Sequence, residues 1–386
     1  MMQDFLSPVS VDFDSVDYRS AQLGSFIQRY GSVIPDFEEG KCAIIGVNEW
    51  RGAGDNRETS GGANAVREQL YKLYTGRWGF EVFDLGDVIP GDTWADTEVA
   101  LRSVVGYLLK NNVIPIIIGG SQDLTLPIYR GFEVTEQNIN IASIDSTFDL
   151  GLPNESMSNR TYLSRIILEK PNRLYNFSNL GYQTYFIHPD EVDLMDKMYF
   201  EAYRLGHLQN DIREAEPVVR DADFVGIDMR AIRLSESPGV VDGSPNGFYG
   251  AELCAMARYS GMSDKCMSFG LFEYRPDLDW RSQTAALMAQ AIWYFFEGVS
   301  LRYNDYPFGS RDSYLKYHVE LEDQGIDMVF HKSDKSGRWW MEVPVEPNLL
   351  ATHQRHTLVP CSYQDYVRAT EGELPDRWMR AFKRMT

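Results

Sequence analysis

Carboxylate and guanidinium side chains recur in this sequence where short apolar runs stop. The run 224–227 stops at Asp228, and Arg230 and Arg233 follow before the turn Ser237-Pro-Gly. The run 141–144 leads into Asp145-Ser-Thr-Phe-Asp149, and 113–118 into Gly119-Gly-Ser-Gln-Asp123. A later run, 267–273, closes on Glu273-Tyr-Arg-Pro276. Strands buried on both faces of a parallel sheet read as continuous apolar runs, and open α/β sheets bind ligands beyond the carboxyl ends of such strands. Several polar strand ends delivered to one place make a site. Carboxylates gathered there are hard anionic donors for a divalent cation. They are equally partners for an arginine, whose guanidinium is charged at any physiological pH and cannot ligate a metal. The chemistry turns on which cation the aspartates hold.

The elements that must position these residues alternate. Residues 1–40 have weak periodicity, with one helix expected over 20–29, and read as an N-terminal arm. From Lys41 the pattern is a strand over 42–47, a polar Gly-rich loop over 48–62, a helix over 63–75 and a strand over 80–85. A helix over 93–111 then feeds the strand 113–118. A helix over 163–168, a strand over 185–188 and a helix over 191–204 precede the Asp228 strand. A helix over 250–259, the strand 267–273 and a helix over 284–296 close this 41–305 domain. Such alternation predicts an α/β fold with a mostly parallel sheet covered on both faces. Residues 306–386 read as an extension. Two stretches, 314–321 and 327–345, alternate like antiparallel strands, and 363–384 has the spacing of one amphipathic helix. Trp339 and Trp340 are expected to cover a core edge there.

With 386 residues, 44% of them hydrophobic, the chain can bury one large core or two smaller ones. A net charge of −19 excludes a nucleic-acid backbone as the main partner. No apolar run approaches the ~20 residues of a membrane span. Residues 1–14 are acidic and lack the basic and apolar regions of a signal peptide. Cys42, Cys254, Cys266 and Cys361 form no C-x-x-C pair and are expected to be reduced thiols of a cytoplasmic chain.

In this order, over 41–305, the motifs resemble the ureohydrolase family of arginases, agmatinases and above all formimidoylglutamases. The family's glycine-rich entry is similar to Gly62-Ala-Asn-Ala-Val-Arg67, and its Gly-Gly-Asp-His-Ser strand end to Gly119-Gly-Ser-Gln-Asp123. Its Asp-Ala-His-x-Asp resembles Asp145-Ser-Thr-Phe-Asp149, and its Ser-x-Asp-x-Asp resembles Gly226-Ile-Asp-Met-Arg230. Its Glu-x-x-Pro resembles Glu273-Tyr-Arg-Pro276. The resemblance implies a three-layer α/β/α sandwich, usually assembled as a homo-oligomer. It also implies two manganese ions held by two histidines and four aspartates, with a bridging water that attacks an amidine carbon. The six ligand positions here read Gln122, Asp145, Thr147, Asp149, Asp228 and Arg230. His188, His207, His318, His331, His353 and His356 all stand outside the motifs. The family's proton-shuttling histidine corresponds to Asn159, and Glu273 keeps the family's substrate-holding glutamate.

Arg230, with Arg233, is expected to neutralise Asp145, Asp149 and Asp228 by charge-assisted hydrogen bonds. Three functions are compatible with these residues. The favoured one is a pseudoenzyme with no cofactor, acting as a scaffold for a protein partner or a second copy, with the extension supplying surface. An alternative is a hydrolase of a linear amidine, a guanidino or formimino compound. It would use no metal, or one manganese ion on Asp145, Asp149, Asp228 and Gln122. The other is a small-molecule binding module that takes an amidine-like ligand through Arg230, Arg233 and Glu273.

Overall fold

The apolar runs become strands of one ten-stranded sheet in the computed structural model. It describes residues 2–31, 33, 37, 40–54, 61–151, 155–306, 314–321, 323, 325–345 and 354–385. The strands are β1 (Leu6–Ser7), β2 (Gln28–Arg29), β3 (Gly40–Val47), β4 (Glu81–Val88), β5 (Ile114–Ile118), β6 (Ile139–Ile144), β7 (Leu174–Tyr182), β8 (Glu201–Arg204), β9 (Phe224–Asp228) and β10 (Ser268–Phe272). Their order is β1-β4-β3-β5-β10-β9-β6-β7-β8, with β2 also against β4. Only β1 runs antiparallel among the described pairings.

The helices are α1 (Gly62–Leu70), α2 (Trp94–Lys110), α3 (Thr125–Gly131), α4 (Tyr162–Leu168), α5 (Pro189–Lys197), α6 (Leu205–Asn210), α7 (Ala215–Arg220), α8 (Gly250–Met262) and α9 (Gln283–Ser300). Each central strand sends alternate side chains to opposite faces. Ile116, Ile144, Val225 and Leu271 join a core built with α1 and α6 to α9. Ile117, Ile141, Phe224 and Phe272 join one built with α2 to α5. The result is the expected three-layer sandwich. Burying each such side chain contributes roughly 1.5–3 kcal/mol, which is why these runs are mostly apolar. The order places β5, β10, β9 and β6 side by side, so their carboxyl ends converge. Among the described residues no helix is long and apolar enough to cross a membrane.

Several boundaries differ from the sequence reading, each for a tertiary reason. No α-helix forms over 20–29; a single 3-10 turn, Leu23–Ser25, leads into β2, which satisfies the open edge of β4. The strand expected at 185–188 is instead β7, disguised by buried polar residues. Asn176 Nδ2 donates to Glu201 Oε1 at 3.0 Å, and Asn179 Nδ2 to the Thr147 carbonyl at 2.7 Å. Residues 184–186 form a 3-10 turn before Pro189 opens α5. The helix expected over 191–204 ends at Lys197, where Tyr199 takes a left-handed φ of 56° before β8.

The extension holds a second, antiparallel sheet, β11 (Tyr314–Leu321), β12 (Ile326–Ser333), β13 (Trp339–Glu342) and β14 (Leu358–Cys361), in that order. The single terminal helix is two, α10 (Tyr363–Thr370) and α11 (Asp376–Met385), broken at Gly372 with φ 91°. Trp339 and Trp340 are buried, as a core-covering role requires. Arginines fasten the extension to the sandwich. Arg220 lies 4.6 Å over the Trp340 ring and donates to the Trp339 and Cys361 carbonyls, each at 3.2 Å. Buried Glu201 on β8 pairs with Arg377 at 2.9 Å and Arg384 at 3.6 Å.

Burial alone would raise the Glu201 carboxyl, but Arg377 and Arg384 hold it down to about 2. The stability it contributes is therefore fully present above its ordinary value of 4.5 and is lost as pH falls from there towards about 2. Glu201→Gln leaves two guanidinium groups facing a neutral amide, which should cost about 3–5 kcal/mol. Urea unfolding of the parent and variant at neutral and acid pH checks this: the difference between them should shrink on acidification.

Candidate functional site

Four adjacent strand ends build one buried cluster. Pairing of Ile144 with Ile227, Leu271 with Ile118 and Phe272 with Asp228 sets the strand ends level. Asp145 and Asp149 follow β6, Asp228 ends β9, Glu273 follows β10, and Gln122 lies in the turn after β5. Carboxylate oxygens of Asp145, Asp149 and Asp228 all lie within 4.8 Å of one another. All five residues are at most 4% exposed.

Gly119 and Gly120 allow close approach here and do not serve a left-handed turn. A Cβ on Gly119 would collide with the Phe272 ring, and one on Gly120 with the Glu49 carbonyl. The Gly120 carbonyl accepts from Glu273 N at 2.8 Å, which fixes the start of the Glu273 loop. Two site residues take left-handed backbone conformations without being glycine, Asp149 with φ 54° and Glu273 with φ 67°. Strain of this kind costs on the order of 1–3 kcal/mol per residue and persists only where the surroundings enforce it.

Arg230 joins the cluster through Asp228 and Glu273 and, contrary to the expectation from sequence, makes no hydrogen bond to Asp145 or Asp149 among the described contacts. A single 3-10 turn, Met229–Ala231, folds its side chain back onto Asp228. Its Nε donates to Asp228 Oδ2 at 2.8 Å and Oδ1 at 3.0 Å, and its Nη2 to Oδ2 at 2.5 Å. Its Nη1 lies 3.6 Å from Glu273 Oε2. The other Glu273 oxygen accepts from Gln122 N at 2.7 Å and from Asn159 Nδ2 at 2.9 Å. Asn159, at the expected shuttle position, thus positions Glu273 and carries no titratable group. Burial opposes the charge on Arg230, yet Asp228 and Glu273 hold its pKa well above the ordinary value.

Arg233 does not join the aspartates. After the 3-10 turn the chain runs on into a bridge between Ile232 and Phe248. This carries the Arg233 guanidinium 3.4 Å over the Tyr249 ring and to the Gly247 carbonyl at 3.3 Å. The second cation is Arg160, which sequence reasoning passed over. Its Nη1 donates to Thr147 Oγ1 at 3.0 Å and lies 3.8 Å from Asp149 Oδ1. Thr147 contacts both Asp149 Oδ1 at 2.7 Å and Asp145 Oδ1 at 3.2 Å. The one signal for Arg160 was its place beside Asn159.

Four carboxylates, those of Asp145, Asp149, Asp228 and Glu273, thus face two guanidinium groups, an excess of two negative charges if all ionise. Burial and crowding raise three of these carboxyls. Burial and then the neighbouring Asp149 and Asp228 push Asp145 well above the usual carboxylate range. Burial also raises Asp149, against the pull of Arg160 and Arg230. Glu273 is raised by burial to about 7 despite Arg230. Of the histidines named above, His353 lies outside the described residues. His331 pairs with Glu342 in the extension at 2.8 Å, and His356 stacks on Tyr175.

Comparison with known proteins places this geometry. The arginase family model matches residues 40–297. A formimidoylglutamase of Geobacillus kaustophilus (strain HTA426) is 28% identical over 221 residues, 55% of this chain and 68% of that protein. One of Bacillus subtilis (strain 168) is 25% identical over 283 residues, 67% of this chain and 87% of its own length. The solved formimidoylglutamase of Bacillus subtilis superposes with a TM-score of 0.65 at 20% identity, over 75% of this chain and 95% of that one. A Trypanosoma cruzi formiminoglutamase solved with manganese gives 0.61 at 19% identity, over 68% and 94%. At these identities the structures share the fold.

The raised carboxyls have a thermal consequence. Stability contributed by protonated Glu273 is fully present below its ordinary value of 4.5 and is lost as pH rises through about 7. Asp145 and Asp149, also raised, act in the same direction. Thermal unfolding should show Tm falling across this window, and Glu273→Gln should flatten the fall. A variant with the parent's slope would contradict the assignment.

Proposed function

The chain belongs to the arginase family, and from that premise we propose that it is a non-catalytic member, a pseudoenzyme that serves as a scaffold or interaction protein. The observation that carries this reading is the guanidinium of Arg230 on both oxygens of Asp228. A binuclear manganese centre needs six oxygen or imidazole donors around two cations. Here Gln122, Thr147 and Arg230 stand at three of those positions, and Arg230 presents only N–H donors. A second cation beside this buried guanidinium would meet strong repulsion in a low dielectric. The residues do not fit two metal ions.

The neighbouring groups support the same conclusion. Glu273, the residue suited to hold a cationic amidine, already accepts from Asn159 and Gln122 and faces Arg230. Asn159 has no proton to relay at neutral pH. In this reading 41–305 is the body retained from the family, and 306–386 is added surface for a partner. All four cysteines are free and buried, which suits a reducing cytoplasm.

Manganese titration of the purified chain and of the triple variant Gln122→His, Thr147→His, Arg230→Asp tests the proposal. The parent should bind no stoichiometric manganese and leave formimino and guanidino compounds intact. The triple variant should gain chelator-sensitive manganese, read by electron paramagnetic resonance independently of activity. A parent that binds two ions per chain and hydrolyses an amidine overturns the reading. A folded triple variant that takes up none refutes the equivalence drawn between these strand ends and the family's ligands.

A further inference from the structure

Among the described residues the second sheet leaves one long edge unpaired. β11 pairs with β12 along its whole length, and no described strand pairs with its outer side. The opposite edge is closed. β14 has four residues, includes Pro360, which has no N–H, and gives its Pro360 and Cys361 carbonyls to Arg377 and Arg220. An open edge is a template for another strand, and natural sheets usually guard it.

The β11 sequence is complementary to itself. Lys316, His318 and Glu320 are exposed on one face; Tyr317, Val319 and Leu321 lie on the other, packed into the core of the extension. A second β11 laid antiparallel, on a two-fold axis through His318 and normal to the sheet, keeps each face on its own side. Lys316 then stands opposite Glu320 twice, Tyr317 opposite Val319, and Leu315 opposite Leu321. Leu315, 55% exposed, gains an apolar neighbour. Asp327 of β12, 3.5 Å from His318, sits beside the two facing imidazoles. Tilted ring contacts of Tyr317 with Trp339 at 5.0 Å and Tyr366 at 5.5 Å tie the strand to the core of the extension.

We propose that β11 pairs with β11 of a second copy of this chain, joining two four-stranded sheets into one continuous antiparallel sheet across a two-fold axis. The charge complementarity selects a second copy over an unrelated strand, and the symmetric pairing closes at a dimer. The inference goes beyond the reading of the aspartate cluster and stands whether or not that cluster binds metal.

Sedimentation velocity on the full chain tests it. The parent should be a dimer at micromolar concentration. Lys316→Glu and Glu320→Lys each set like charges opposite one another twice, and should raise the dimer dissociation constant about tenfold or more. The double variant Lys316→Glu, Glu320→Lys should restore the parent value, with circular dichroism unchanged throughout. A monomeric parent, growth beyond the dimer, single variants that leave the dimer intact, or a double variant that fails to restore it would each overturn the proposal.

Discussion

A guanidinium held against a carboxylate, out of water, is the interaction on which the centre of this molecule depends. Removing both ions from solvent is costly, and their attraction offsets that cost only when geometry is good and the remaining donors find partners. Arg230 meets the condition locally. Its main chain and side chain both bond Asp228, two residues away, and the far nitrogen reaches Glu273 on the next strand. An isolated aspartate cluster of this density would expel its own charge by protonation or by recruiting a cation. Here the chain supplies part of the cation itself, and burial raises the carboxyls of Asp145, Asp149 and Glu273, which makes their remaining charge harder to hold.

The scaffold makes that arrangement affordable. Four adjacent parallel strands end level with each other, so no long loop has to be ordered to bring the acids together. The left-handed backbone at Asp149 and Glu273 survives beside glycines that let β5 and β10 approach closely. Strain of this kind clusters at functional sites, where the surroundings over-determine it.

The sandwich and the meeting of Asp145, Asp149 and Asp228 were legible because both are written in local signals: mostly apolar runs, each closed by a polar residue. What the sequence did not carry was long-range. Arg160 sits in a loop whose path over Thr147 has no periodicity, while Arg233, three residues from Arg230, reads as its partner until a bridge to Phe248 turns it away. β7 hid behind buried asparagines whose partners lie on β8 and in the loop after β6. Residues 20–29 of the arm have helical spacing, but their pairing edge, β4, is remote in sequence. In each case a tertiary partner outweighed a weak local preference.

Anomalous diffraction at the manganese edge, from crystals grown with excess manganese, tests the central claim most directly. The account predicts no anomalous peak among Asp145, Asp149 and Asp228, with clear density for the Arg230 guanidinium lying on Asp228. Two peaks bridged by those carboxylates, with Arg230 displaced from Asp228, would contradict it.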